Sequence, residues 1–201
     1  MNLQFPDTDV YMEMTPNPSA LKFVLNRLVT TTQAVEFERA DVGNGKDNLI
    51  RQLFQFPFVQ RIYACENYLS ITRTEQIEWF EVQNELRSFI KAYFQKNQWA
   101  FTIEDFQTAP KTAENLEAKR LQFTPTDYDA KIVALLEEYV RPNVQADGGE
   151  ILFIGLKDKT VYVQLSGACL GCPSSNVTLK NGIQNLLQNM LPGVVKDVVA
   201  L

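Results

Sequence analysis

The chain has 201 residues, 45% of them hydrophobic and 21% charged, with a net charge of −5. This is the composition of a soluble globular protein with room for one sizeable domain or two small ones. The acidic balance, with no lysine- or arginine-rich run and no long apolar stretch, argues against nucleic acid and membrane as partners. The sequence contains no histidine. That removes Ser-His-Asp and Cys-His catalysis and zinc sites with imidazole ligands. Three cysteines do not make a secreted disulfide framework, and residues 1–9 carry two acids and no base, unlike a signal or transit peptide. The expected compartment is the reducing cytoplasm.

In chain order, residues 10–14 form the first strand expected, closed by the turn Thr15-Pro16-Asn17-Pro18. Leu21, Phe23 and Leu25 alternate with Lys22, Val24 and Asn26, as on a half-buried strand. Val35, Phe37 and Ala40 point to another extended piece, broken by Gly43-Asn44-Gly45. Asn48 is placed to cap a helix over 49–56, stopped by Pro57. Residues 59–65 and 68–74 read as a hairpin turning at Glu66-Asn67. A long helix over 74–97 carries Trp79, Val82, Leu86, Phe89, Ile90, Tyr93 and Phe94 at helical spacing. Nothing in this half gathers acids, thiols or glycines into a reaction centre, so its aromatics read as core.

Residues 98–126 read as a linker with a short helical piece over 113–121. Beyond it, Thr126 or Asp127 can cap a helix striped by Ile132, Leu135, Leu136, Tyr139 and Val140 and ended by Pro142. Asp147-Gly148-Gly149 is a turn. Strands over 150–156 and 160–165 follow, then a cysteine-containing turn, a helix to about 190, the breaker Leu191-Pro192-Gly193 and a last strand over 194–199. The fold class expected is α+β: two small mixed domains, 1–97 and 127–201, the second running helix, strand, strand, helix, strand.

The stretch Gly167-Ala168-Cys169-Leu170-Gly171-Cys172-Pro173-Ser174 holds two of the three cysteines. An alternating strand pattern leads into it and a helical pattern leads out, with Pro173 suited to a first helical position. A thiolate at a helix start is stabilised by the free N–H groups there. Four readings of the pair compete. Two buried structural thiols fit poorly with two glycines and a proline around them. A thioredoxin-like redox pair fits the strand-to-helix position but lacks the accompanying aromatic and cis-proline loop. Zinc wants four ligands, so only a dimer completes it. An iron–sulfur cluster is the fourth, since it prefers thiolates and two chains supply four of them. The spacing alone does not choose between zinc and cluster.

The wider context resembles a known family. Asp147-Gly148-Gly149, two strands, then residues 167–175 and a helix with Thr178-Leu179-Lys180-Asn181-Gly182-Ile183, are similar to the C-terminal domain of NifU, the Nfu domain, over about 128–199. Thr15-Pro16-Asn17-Pro18, Leu21-Lys22-Phe23, Val59, Arg61-Ile62-Tyr63 and Leu69-Ser70-Ile71-Thr72 resemble the Nfu N-terminal domain over about 10–94. The resemblance implies a non-enzymatic scaffold or carrier in which Cys169 and Cys172 ligate a [4Fe–4S] cluster shared by a homodimer. The implied partners are the upstream cluster-assembly machinery and the apo-proteins that receive the cluster. The N-terminal domain, having a core but no chemistry, is expected to recognise donors or recipients. A dithiol–disulfide oxidoreductase and a zinc-bridged dimer are the alternatives. Cys65, in the other domain and without a cysteine neighbour, is expected to be structural, and Asp147 to belong to its turn before any ligand role.

Overall fold

The computed structural model describes residues 7–31, 34–42, 47–105, 118–171 and 173–201, with backbone alone at 41, 42, 103 and 173–176. Cys172, the Gly43-Asn44-Gly45 break and the first part of the helical piece over 113–121 lie outside the described residues; residues 118–120 are helical.

The N-terminal half contains β1 (Val10–Met14), β2 (Ala20–Leu25), β3 (Val35–Glu38), α1 (Leu49–Leu53), β4 (Val59–Cys65), β5 (Tyr68–Arg73) and α2 (Trp79–Phe94). Its sheet has the order β1-β2-β5-β4-β3 with antiparallel neighbours throughout. Side chains alternate across a strand, so Leu21, Phe23, Leu25, Ile62, Ala64, Leu69 and Ile71 share one face. They pack on Trp79, Val82, Leu86, Ile90 and Phe94 of α2, whose 3.6-residue period brings these five to one side. Each large apolar side chain fully buried there contributes roughly 1.5–3 kcal/mol. Ala100 and Phe101 complete this core from the segment after α2.

Several boundaries differ from the sequence expectation, the last strand among them (Asp197–Ala200 in place of 194–199), and three in the N-terminal half have a clear local reason. The helix expected over 49–56 is capped as foreseen, Asn48 Oδ1 accepting from the Arg51 amide at 3.0 Å, but ends at Leu53. Pro57 disfavours helical backbone at Phe56, and the amides of Gln55 and Phe56 tighten onto the carbonyls three residues back. The helix expected from 74 begins only at Trp79. An Arg73–Glu78 ion pair at 2.6 Å closes the turn out of β5, and Glu81 Oε2 accepts from the Glu78 amide at 2.9 Å to start the helix. Ala40 lies in a single 3₁₀ turn, Arg39–Val42, and not in a strand.

The C-terminal half contains α3 (Asp129–Tyr139), α4 (Arg141–Ala146), β6 (Gly149–Lys157), β7 (Thr160–Gly167), α5 (Pro173–Met190) and β8 (Asp197–Ala200). Pro142 does interrupt the first helix, but the chain resumes at once as α4, because a proline without an N–H is tolerated in a first helical turn. β6 and β7 form an antiparallel hairpin turning at Asp158 and Lys159, both with positive φ. β7 pairs in parallel with β8, and α5 is the crossover between them. Ile132, Leu136, Val144, Ile151, Val161, Val163, Leu165, Ile183, Leu187 and Val198 make a second core. The two cores share no residue. The fold is α+β, as the patterning implies, and among the described residues no helix is long and apolar enough to cross a membrane.

Candidate metal centre at the cysteine turn

β7 ends at Gly167, whose φ of +65° lets the chain leave the sheet sharply; Gly171, with φ +77°, turns it again before α5. Between them the Ala168 amide donates to the Gly148 carbonyl at 3.1 Å and the Leu170 amide to the Gly167 carbonyl at 3.2 Å. Cys169 is thereby held at the junction of strand and helix, 4% exposed, against the edge of the C-terminal core. Its sulfur lies over Gly149: a Cβ at that position would come within 2.5 Å of Cys169 Sγ and 2.9 Å of the Ser166 carbonyl oxygen. The Asp147-Gly148-Gly149 turn is therefore the floor of the cysteine turn. Asp147 itself is the C-cap of α4, its amide donating to the Asn143 carbonyl at 3.0 Å. The structure places Cys169; Cys172, one position before α5 in the sequence, lies outside the described residues. Among the described residues no three His, Cys, Asp or Glu side chains gather in the manner of a metal site.

The other side of the turn is covered by the N-terminal sheet. The face of that sheet away from α2 carries Lys22, Ser70, Tyr63 and Glu36, which stand opposite one another in register across β2, β5, β4 and β3. Lys22 Nζ donates to the Ala146 carbonyl at 3.1 Å, and Ser70 Oγ to the Gly148 carbonyl at 2.6 Å. The Tyr63 ring lies against Gly167, and Glu36 Oε1 accepts from the Gly167 amide at 3.2 Å. Flanking this row, Asn17 Nδ2 donates to the Ala168 carbonyl at 3.0 Å and Arg61 Nη2 to the Leu170 carbonyl at 3.0 Å. Both carbonyls flank Cys169 in the sequence. Burial pushes the Glu36 carboxyl up to about 7, although the Arg61 guanidinium and the Gly167 amide pull the other way.

Cys65 sits on this same sheet face in a small buried cluster with Tyr63 and Tyr68. Burial raises its thiol pKa, so it stays protonated and behaves as a packing group. The sequence reading did not single out Asn17, Glu36, Arg61 or Ser70 as partners of the turn. Alternation placed polar residues on the second face of the strands, but alternation carries no information about what covers that face.

Comparison with known proteins places this arrangement in context. The family model for the NifU-like domain matches residues 132–199, and that for the scaffold protein Nfu/NifU N terminal matches residues 10–97. The chain is 32% identical over 181 residues to the human mitochondrial NFU1 iron-sulfur cluster scaffold homolog, covering 90% of this chain and 67% of that protein. It is 34% identical to a NifU-like protein of Schizosaccharomyces pombe, covering 94% of this chain and 71% of the relative. A solution structure of a NifU-like protein from Saccharomyces cerevisiae aligns with 50% of this chain and 89% of its own at 20% identity, with a TM-score of 0.43. One expectation is corrected here. Several of the matched relatives, the human one and two from Arabidopsis thaliana among them, are named as mitochondrial, which points away from the cytoplasm. Cysteine usage separates oxidising from reducing compartments but does not tell one reducing compartment from another.

Proposed function

We propose, for a chain that belongs to the Nfu/NifU family of iron–sulfur cluster scaffold proteins, that it carries a [4Fe–4S] cluster between two copies of itself and hands it to apo-proteins. Cys169 and Cys172 of each copy are the ligands in this reading. The observation that carries it is the setting of Cys169. A soft sulfur donor is presented on a glycine-bracketed turn between β7 and α5, with Gly149 leaving space for its sulfur. Residues 1–97 act as the partner-recognising domain, its core completed by Ala100 and Phe101, residues 98–126 join the two halves, and residues 127–201 hold the cluster.

The cluster is cargo. Delivery is ligand exchange at iron without net redox change. A recipient thiol gives up its proton and binds iron as thiolate, and the Cys169 or Cys172 thiolate so displaced takes up a proton. Repeating this for each ligand moves the cluster without catalytic turnover. The Gly167 and Gly171 hinges set the turn from which the thiolates are released.

Native mass spectrometry after anaerobic reconstitution with iron and sulfide tests the reading. A dimer with four irons and four sulfides, lost in Cys169→Ser and in Cys172→Ser, is expected. A monomer without iron that traps mixed disulfides through Cys169 in Cys172→Ser would replace the carrier with a dithiol oxidoreductase.

A further inference from the structure

We propose that the polar face of the N-terminal sheet is a built-in cover for the cysteine turn, and that the chain alternates between this closed form and an open one in which two turns can meet. The proposal rests on the carrier reading only in its second half; closure itself is argued from contacts alone.

The cover recognises the turn through its main chain. Asn17, Lys22, Arg61 and Ser70 donate to carbonyls at Ala168, Ala146, Leu170 and Gly148, and Glu36 accepts from the amide of Gly167. Three glycines of the C-terminal half sit where the sheet comes closest. A Cβ would come 2.6 Å from Ser70 Oγ at Gly148, 3.0 Å from the Tyr63 ring at Gly167 and 3.4 Å from Arg61 Nη2 at Gly171. The surfaces thus fit at backbone distance at Gly148, Gly167 and Gly171. Side-chain donors satisfy the turn's carbonyls in the closed form, and water can satisfy them in the open one.

The contact is also built to part. The two main apolar cores share no residue, so separation leaves each largely intact and uncovers chiefly the polar row, the small Tyr63-Cys65-Tyr68 cluster and the cysteine turn. Interfaces between domains that are held by polar groups are separable by default. Cys169 is 4% exposed in the closed form, and a thiol must be reachable to take up iron or exchange ligands. The thiol itself rests on Gly149 and the C-terminal core, and the cover holds the carbonyls on either side of it; closure therefore fixes the turn in the arrangement that buries the thiol and has to be relieved before two copies share one cluster.

The test uses the full-length apo-protein, reduced and free of iron, with iodoacetamide as probe and tandem mass spectrometry to read alkylation at Cys169. The combined variant Asn17→Ala, Arg61→Gln, Ser70→Ala is expected to be alkylated at Cys169 at least tenfold faster than the wild type. Its far-ultraviolet circular dichroism should be unchanged and its radius of gyration by X-ray scattering larger. An unchanged alkylation rate, within twofold, overturns the proposal. Should the combined variant lose its circular dichroism, Ser70→Ala alone is compared; a faster rate supports closure and an unchanged one overturns it. Because no iron is present, failure of cluster assembly would sink the carrier reading and leave this result standing, and the reverse also holds.

Discussion

Arg141 grips Glu150 with two parallel hydrogen bonds, Nε to Oε1 at 2.9 Å and Nη2 to Oε2 at 3.0 Å, where α4 gives way to β6. Glu150 is 3% exposed and also accepts from the Ile151 amide and Gln145 Nε2. Such a fork-to-fork pair fixes geometry as well as charge. It anchors the strand whose first residue, Gly149, lies beneath the Cys169 sulfur. Hydrogen bonding to Glu150 and Glu137 holds the Arg141 guanidinium in its charged form.

Removing one partner leaves a buried carboxylate unpaired. Arg141→Ala is expected to cost about 2–3 kcal/mol, below the full value for an enclosed pair because Arg141 is itself partly exposed. Urea denaturation followed by circular dichroism measures it. An unchanged midpoint would mean that water replaces the guanidinium at no cost.

Gly149→Ala places a methyl group where the Cys169 sulfur and the Ser166 carbonyl already sit. The thiol has to move, and in the carrier reading the ligand geometry moves with it. Iron retained per chain after reconstitution should fall several-fold on that reading, while the N-terminal half keeps its fold. Full retention of iron would show that the floor of the turn yields freely.

The Glu36 carboxyl gives a pH dependence with a definite sign. Its value is raised from 4.5 to about 7 by burial, with Glu38 adding to the rise and Arg61, the Gly167 amide and Ser166 opposing it. A raised carboxyl binds its proton more tightly in the folded, closed form than in the unfolded one. Its stabilising share is therefore fully present below 4.5 and is lost as pH climbs through about 7. Compared with Glu36→Gln, the wild type should lose stability across that window, as read from urea midpoints at successive pH values. Parallel curves for the two proteins would remove Glu36 from the account.

Asn48→Ala removes the side-chain oxygen that accepts from the Arg51 amide at the start of α1. A loss of about 1 kcal/mol is expected from thermal or chemical unfolding. Iron binding should stay at the wild-type level, since α1 lies on the core side of the N-terminal sheet. A loss of iron would tie α1 to the cysteine turn.

Much of this architecture is legible in the sequence because it rests on short-range physics. The alternation of Leu21, Phe23 and Leu25, the cap at Asn48 and the helical stripe from Trp79 to Phe94 each depend on neighbours a few residues away. The glycines around Cys169 and the helix beginning at Pro173 are local signals too. Boundaries shifted where a side chain intervened, as when the Arg73–Glu78 pair delayed α2. The partnership of Ser70 with Gly148 spans 78 residues and is carried by one hydroxyl. No periodicity encodes such a contact; it exists only once both halves have folded and met.

The parallel pairing of β7 with β8 sets an order on biosynthesis. Cys169 leaves the ribosome well ahead of Asp197–Ala200, the strand that pins the far end of the crossover behind it. Until that strand has docked beside β7, α5 is held chiefly through Ile183, Leu187 and their core partners, and the nascent thiols stand on an unfinished support. A transcript cut short before Asp197 would yield a polypeptide with every cysteine but a less firmly mounted turn.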